Sequence, residues 1–122
     1  AVVIVEEALE RLQQYCVPTT LRVVTEDGSR GGRGLVTAPL EGDLVPEDLV
    51  MACGPHAMCR ALWGLCRRCG VHNVWLSLEA VMACGVGSCH GCVIRRADGS
   101  LARVCHDGPV FAGVHVFGGE EC

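Results

Sequence analysis

Apolar residues crowd the first five positions, AVVIV, and then recur at Ala8, Leu9, Leu12 and Cys16 within EEALERLQQYC. The first run predicts a short strand and the second a helix, because the later spacing returns to one helical face. Pro18 stops that helix. TTLRVVTED then predicts a buried strand ending in the turn Asp27-Gly28-Ser29, followed by the glycine-rich loop SRGGRG. GLVTAPL is expected to be a short strand or extended segment closed by Pro39. From Asp48 the chain predicts a further strand running into Gly54-Pro55. PHAMCRALWGLCRRCG opens on proline and closes on glycine, the asymmetry of a helix, and VHNVWLSLE is the next strand. Strands alternating with helices over residues 1–78 argue for a parallel α/β sheet.

After Glu79 the periodicity disappears. Glycines at 85, 87 and 91 sit between cysteines, so this stretch is loop. CVIRRADGSLARVC predicts two short strands joined by the turn Asp98-Gly99. The tail VHVFGGEEC is short, with frayed last residues expected. The chain therefore divides into an α/β piece over residues 1–78 and a small loop-and-hairpin module over residues 79–122.

Composition sharpens this picture. Half of the 122 residues are hydrophobic and a fifth are charged, the balance of a folded chain. The net charge of −4 gives no electrostatic footprint for nucleic acid. All the basic residues are arginines, which is read as a bias of composition without functional meaning. AVVIV is too short for a signal peptide or a membrane span and no later run is longer, so a cytoplasmic protein without membrane contact is expected. Ten cysteines then decide the chemistry. Clustered cysteines in a reducing compartment more often bind metal or do redox work than form disulfides.

Cys84, Cys89, Cys92 and Cys105 follow the pattern C-x4-C-x2-C-x12-C. The first three match the plant-type ferredoxin spacing for a [2Fe–2S] cluster, with a fourth thiolate supplied from further along. Three thiolates converging on a small cluster need a tight loop. Glycines permit the positive φ angles of such a loop and let backbone N–H groups approach the sulfurs, and Ser88 is small for the same reason. Cys105 would come from the end of the hairpin and pin it to the loop. Arg95, Arg96 and Arg103 either offset the charge of four thiolates or simply solvate the hairpin. His90 and His106 lack the offsets of a Rieske centre and are expected to face solvent.

A second reading pairs Cys66-x2-Cys69 with Cys89-x2-Cys92, nineteen residues apart, as a structural zinc site. It leaves Cys84 and Cys105 without a role. On the bland reading Cys66 packs as a small hydrophobe and Cys69 lies at a helix end. Cys16, Cys59 and Cys122 receive no role.

The tetrapeptide MACG occurs twice, at Met51–Gly54 and again thirty-one residues later at Met82–Gly85. Cys53-Gly54-Pro55 lies between a predicted strand and a predicted helix, where the carboxyl end of a parallel strand and the free N–H groups of a helix start receive ligands. This loop is expected to face an organic ligand or to be an ordinary strand-to-helix turn. The second copy would hold metal.

ACGPHAM, SLEAVMACGVGSCHGC and VCHDGPVF, together with TEDGSRGGRGLVT, resemble the electron-transfer subunits of NAD-dependent dihydroorotate dehydrogenases, in the ferredoxin reductase superfamily. The likeness runs over roughly residues 18 to 111. A sister group, the ferredoxin–NADP oxidoreductase subunits, often carries Asp where Cys84 stands. The resemblance implies a partial parallel-sheet nucleotide-binding domain followed by a [2Fe–2S] module with Cys84, Cys89, Cys92 and Cys105 as ligands. It implies Cys53, Gly54 and Pro55 beside nicotinamide and flavin, Asp27, Gly28 and Ser29 on the nucleotide side, and the stretch from Asp107 to Phe111 folded over the cluster near a partner.

It implies electron relay between FMN of a dihydroorotate dehydrogenase catalytic subunit and FAD and NAD, in pyrimidine biosynthesis, within a hetero-oligomer. No catalytic base or nucleophile is identified, and relay requires none. The family's FAD-binding barrel and the first glycine-rich βα unit do not occur in these 122 residues, which look like a C-terminal portion. Reductase subunits serving a ferredoxin–NADP, sulfite reductase or hydrogenase complex remain the alternative.

Overall fold

The computed structural model describes residues 20–119, together with Arg11, Gln14 and Tyr15. The strand expected at residues 1–5 and the helix expected over 6–16 lie outside the described residues apart from those three, as do Cys16 and Cys122. The chain forms two compact units, Ala1–Pro39 and Leu40–Cys122.

In the first unit, strand β1 (Val24–Thr25) pairs in parallel with β2 (Gly32–Arg33) around the Asp27–Ser29 turn. The Ser29 N–H donates to Asp27 Oδ1 at 2.9 Å, and the Gly32 N–H donates to the Val23 carbonyl at 2.8 Å. The strand expected over residues 19–27 is thus only two residues long. GLVTAPL does not extend as a strand. It turns into a 3₁₀ helix at Ala38–Leu40, with Leu35 and Val36 exposed. Among the described residues no strand pairs with Leu35 or Val36, and local turns form there instead.

The second unit is built on strand β3 (Leu49–Gly54), helix α1 (His56–Arg68) and strand β4 (Asn73–Leu78). The two strands run parallel in register from Leu49 opposite Asn73 to Gly54 opposite Leu78. Along α1, Cys59, Leu62, Trp63 and Cys66 recur at three- and four-residue steps and are buried, forming the stripe that covers one sheet face. Val74, Leu76 and Leu78 of β4 meet that stripe, together with Val71, while Trp75 points the other way and is partly exposed. Arg67 and Arg68 occupy the last turn of α1, where positive charge suits the helix dipole. Gly70 ends the turn at φ 76°, the left-handed geometry that favours glycine.

The expected hairpin is present. Strands β5 (Val93–Arg95) and β6 (Leu101–Arg103) pair antiparallel, Ile94 opposite Ala102. The chain then makes a single turn of helix, α2 (Val104–Asp107), and returns to the main sheet as β7 (Val110–Ala112). β7 runs antiparallel to β4, with Phe111 opposite Leu76. A short helix α3 (Gly113–Phe117) follows where a plain tail was expected. Gly113 admits it there, because any Cβ on it would press into the Trp63 ring.

Candidate metal centre

Because β3 and β4 are parallel neighbours, their carboxyl ends lie side by side, with Gly54 opposite Leu78. At the end of β3 the chain passes from Gly54 through Pro55 into α1, and at the end of β4 the cysteine-bearing loop over residues 79–92 departs. The first MACG copy, Met51–Gly54, is therefore the last part of β3 itself, and the second lies in the loop that leaves β4 at the same sheet end.

The second loop has no helix or strand between Glu79 and Gly91. Gly87 shapes it, at φ 82°, lying so close to His106 that an added Cβ would stand 2.9 Å from the His106 Cβ. His90 also takes a left-handed conformation, at φ 57°, between Cys89 and Gly91. These turns aim backbone amides at sulfur. The Cys89 backbone amide, the Ser88 hydroxyl and the Val86 amide favour the thiolate of Cys84 and bring its pKa down to about 5. The Gly91 N–H donates to Cys89 Sγ at 3.4 Å.

The hairpin brings the fourth cysteine back. The Val104 N–H donates to the Cys92 carbonyl at 3.0 Å, and the Cys105 N–H donates to Cys92 Sγ at 3.4 Å. The Cys105 amide lowers the Cys92 pKa, and Cys105 shares its own proton with Cys92, which raises its pKa. Cys105 also feels the charge of Cys84. The four sequence-nominated sulfurs thus fall into two pairs, Cys84 with Cys89 and Cys92 with Cys105.

Among the described residues, no three His, Cys, Asp or Glu side chains converge on a point suited to one metal ion. Paired thiols beside amide-lined glycine turns are a donor set suited to an iron–sulfur cluster, which Cys84, Cys89, Cys92 and Cys105 would hold and which would supply one-electron transfer. Cys66 and Cys69 likewise belong to no group of three such side chains among the described residues. Cys66 is sealed in the core, where burial pushes its thiol up, and Cys69 caps α1.

Sequence reasoning left Arg103 open between charge compensation and solvation. Its Nη1 donates to the Gly87 carbonyl, within the cluster loop, at 3.0 Å. Its Nε and Nη2 meet the Asp107 carboxylate at 3.2 and 3.3 Å. The Arg103 backbone N–H also donates to Asp107, at 2.8 Å, and His106 Nδ1 lies 2.9 Å from the same carboxylate. The guanidinium holds the Asp107 carboxyl well below the usual carboxylate range. The signal was present in the sequence as the four-residue spacing of Arg103 and Asp107, which faces the two on one helical turn. His106 was expected to face solvent, and it is exposed, with its inner edge packed beside Gly87.

At the other loop, Cys53 is exposed and Gly54 is buried. The Gly54 carbonyl accepts from Cys59 Sγ at 3.5 Å, and Pro55 precedes α1 at its start. Burial raises the Cys59 pKa. A shallow depression of about 200 Å³ lies beside Cys53, walled by Met51, Trp75, Ser77 and Val110. Asp27, Gly28 and Ser29 belong to the first unit.

Residues 79–117 match the family described as the iron–sulfur cluster binding domain of dihydroorotate dehydrogenase B. That segment belongs to this family. The chain is similar to curated proteins named dihydroorotate dehydrogenase B (NAD(+)), electron transfer subunit. One from Caldanaerobacter subterraneus subsp. tengcongensis is 46% identical over 92 residues, covering 73% of this chain and 37% of the relative. One from Clostridium perfringens is 40% identical over 96 residues, covering 79% of this chain and 37% of the relative. The chain therefore spans little more than a third of the relatives it matches. A chain in a solved structure titled as an NADH-dependent reduced ferredoxin–NADP oxidoreductase aligns with a TM-score of 0.63 and 30% identity, over 80% of this chain and 35% of that one. Among the described residues, no helix is long and apolar enough to cross a membrane.

Proposed function

We propose that this chain is the cluster-bearing portion of an electron-transfer subunit of NAD-dependent dihydroorotate dehydrogenase, and that Cys84, Cys89, Cys92 and Cys105 hold a [2Fe–2S] cluster. One observation carries the reading. Four cysteines, nominated by spacing and glycine content, fall into two thiol pairs within a segment that matches this family's cluster-binding domain. When bound, the cluster supplies one-electron transfer between two-electron partners. The protein's own part is to gather four sulfurs, aim amides at them, and carry the loop on the carboxyl end of β4.

Residues 1–78 then form the last part of an α/β nucleotide-binding domain, and residues 79–122 the cluster module. Cys53, Gly54 and Pro55 face the nicotinamide and flavin, with Asp27, Gly28 and Ser29 on the nucleotide side. The longer polypeptide binds FAD and NAD, its partner is an FMN-containing catalytic subunit, and the assembly serves pyrimidine biosynthesis in the cytoplasm. The solved neighbour supports one second reading, a reductase subunit of a ferredoxin–NADP type complex.

Anaerobic preparation of the chain tests the first claim. Iron and acid-labile sulfide at about two each per chain, with visible charge-transfer bands, is the expected result. A colourless chain with zinc overturns it. Co-purification of the full-length subunit with an FMN-containing dihydroorotate dehydrogenase, against a ferredoxin-linked partner, separates the two readings.

A further inference from the structure

Three arginines lie on the hairpin, and they are not equivalent. Arg95 is exposed, and Arg96 lies close enough to Asp98 to help hold that carboxyl low. Arg103 alone among them hydrogen-bonds the cysteine loop, through the Gly87 carbonyl. Its guanidinium also feels the charges of Cys105 and Cys92. Asp107 grips the opposite edge of the guanidinium, so the group is fixed in both position and charge.

We infer that Arg103 is the positioning residue that ties the cluster loop to the returning hairpin and, through its charge, sets how readily the centre accepts an electron. The inference rests on the [2Fe–2S] reading above. Four thiolates give the site excess negative charge, and reduction adds one more. A fixed cation hydrogen-bonded to the cluster loop favours the more negative, reduced state, as hydrogen bonds to sulfur do elsewhere. Asp107 is the moderator: it orients the guanidinium and cancels part of its field. The two residues therefore act with opposite signs on the electron affinity, although both brace the same loop.

The test is an EPR-monitored reductive titration of the whole chain loaded anaerobically with iron and sulfide. Arg103→Gln is expected to lower the equilibrium constant for reduction at least tenfold, which is about 59 mV for one electron. Arg103→Lys keeps the charge and should restore most of that shift. Asp107→Asn should move the potential upward. A loop that has merely loosened would move both Arg103→Gln and Asp107→Asn the same way, and that result overturns the inference. So does an unmoved potential in Arg103→Gln with iron retained. If Arg103→Gln cannot hold iron, Asp107→Asn decides: an unchanged or lowered potential refutes the idea. A wild-type chain that holds no iron defeats the cluster reading instead, so the two failures are distinguishable.

Discussion

The Cys105 amide donates to the sulfur of Cys92 at 3.4 Å, joining residues thirteen apart in sequence at the close of the hairpin. Cys92 is buried and Cys105 half-buried, so the pair is sheltered while Cys89 is exposed. Each of the four cysteines should be needed for colour. Cys92→Ser and Cys105→Ser are expected to lose the visible bands and the iron. Cys66→Ala should keep both, because Cys66 serves only as core filling. Alanine is the right replacement there, since a buried serine hydroxyl without a partner costs about 1–3 kcal/mol. Bleaching on Cys66→Ala, measured by absorbance and iron content, would contradict the ligand set.

In cluster-free protein, the amides around Cys84 should make it the most acid-reactive of the nominated thiols. With its pKa lowered from 9.0 to about 5, Cys84 is mostly thiolate above that pH and loses the charge below it. At pH 6 the gain in thiolate fraction over an ordinary thiol, about three powers of ten, outweighs the lower intrinsic nucleophilicity by about tenfold. Cys105, whose pKa is raised, stays protonated there. Alkylation at pH 6 mapped by mass spectrometry should mark Cys84 first, with the preference shrinking as pH rises. Equal labelling of Cys84 and Cys105 at pH 6 would refute it.

How much of this was legible before folding varied with the kind of signal. The β3–α1–β4 unit was readable from the alternation Val74-Trp75-Leu76 and from the stripe at Cys59, Leu62, Trp63 and Cys66, since both patterns are periodic. Asp98-Gly99 announced its hairpin by turn chemistry. β7 gave no such sign. Three residues cannot display a period, and Val110–Ala112 becomes a strand only because β4 has a free edge to receive it. GLVTAPL failed in the opposite sense: it has apolar residues, but among the described residues no strand pairs with it. At the site, cysteine spacing located the sulfurs. It could not divide them into pairs or single out Arg103 from Arg95 and Arg96, because which side chain crosses to Gly87 depends on how the hairpin is laid over the loop.

The two left-handed loop glycines should differ in their response to alanine. Gly85, at φ 68°, has open space where a Cβ would go, whereas Gly87, at φ 82°, has the His106 side chain there. Gly85→Ala meets only the left-handed backbone penalty, about 1–2 kcal/mol. Gly87→Ala adds a clash that pushes His106 aside and loosens the Arg103–Asp107 brace. Iron retention after dialysis should therefore fall further in Gly87→Ala than in Gly85→Ala. The reverse order would mean that the Gly87–His106 packing does not hold the loop.

Phe111 anchors the chain that leaves the cluster to the sheet that supports it. It lies opposite Leu76 on β4 and is 6% exposed, whereas its neighbour Val110 faces outward at 47%. The Phe111 ring also fills the space above Gly108, where any side chain would collide with it. Phe111→Ala should cost about 3–5 kcal/mol, because the emptied core site cannot close over the lost ring. Val110→Ala, one position along and on the other face, should stay within about 0.5 kcal/mol. Urea denaturation of the two variants checks the difference in stability. Because β7 follows directly on α2, which carries Cys105, the Phe111→Ala variant should also release iron to a chelator faster than Val110→Ala. Equal stability in the two variants would mean that β7 does not dock on β4 and that the hairpin end is held by the cluster alone.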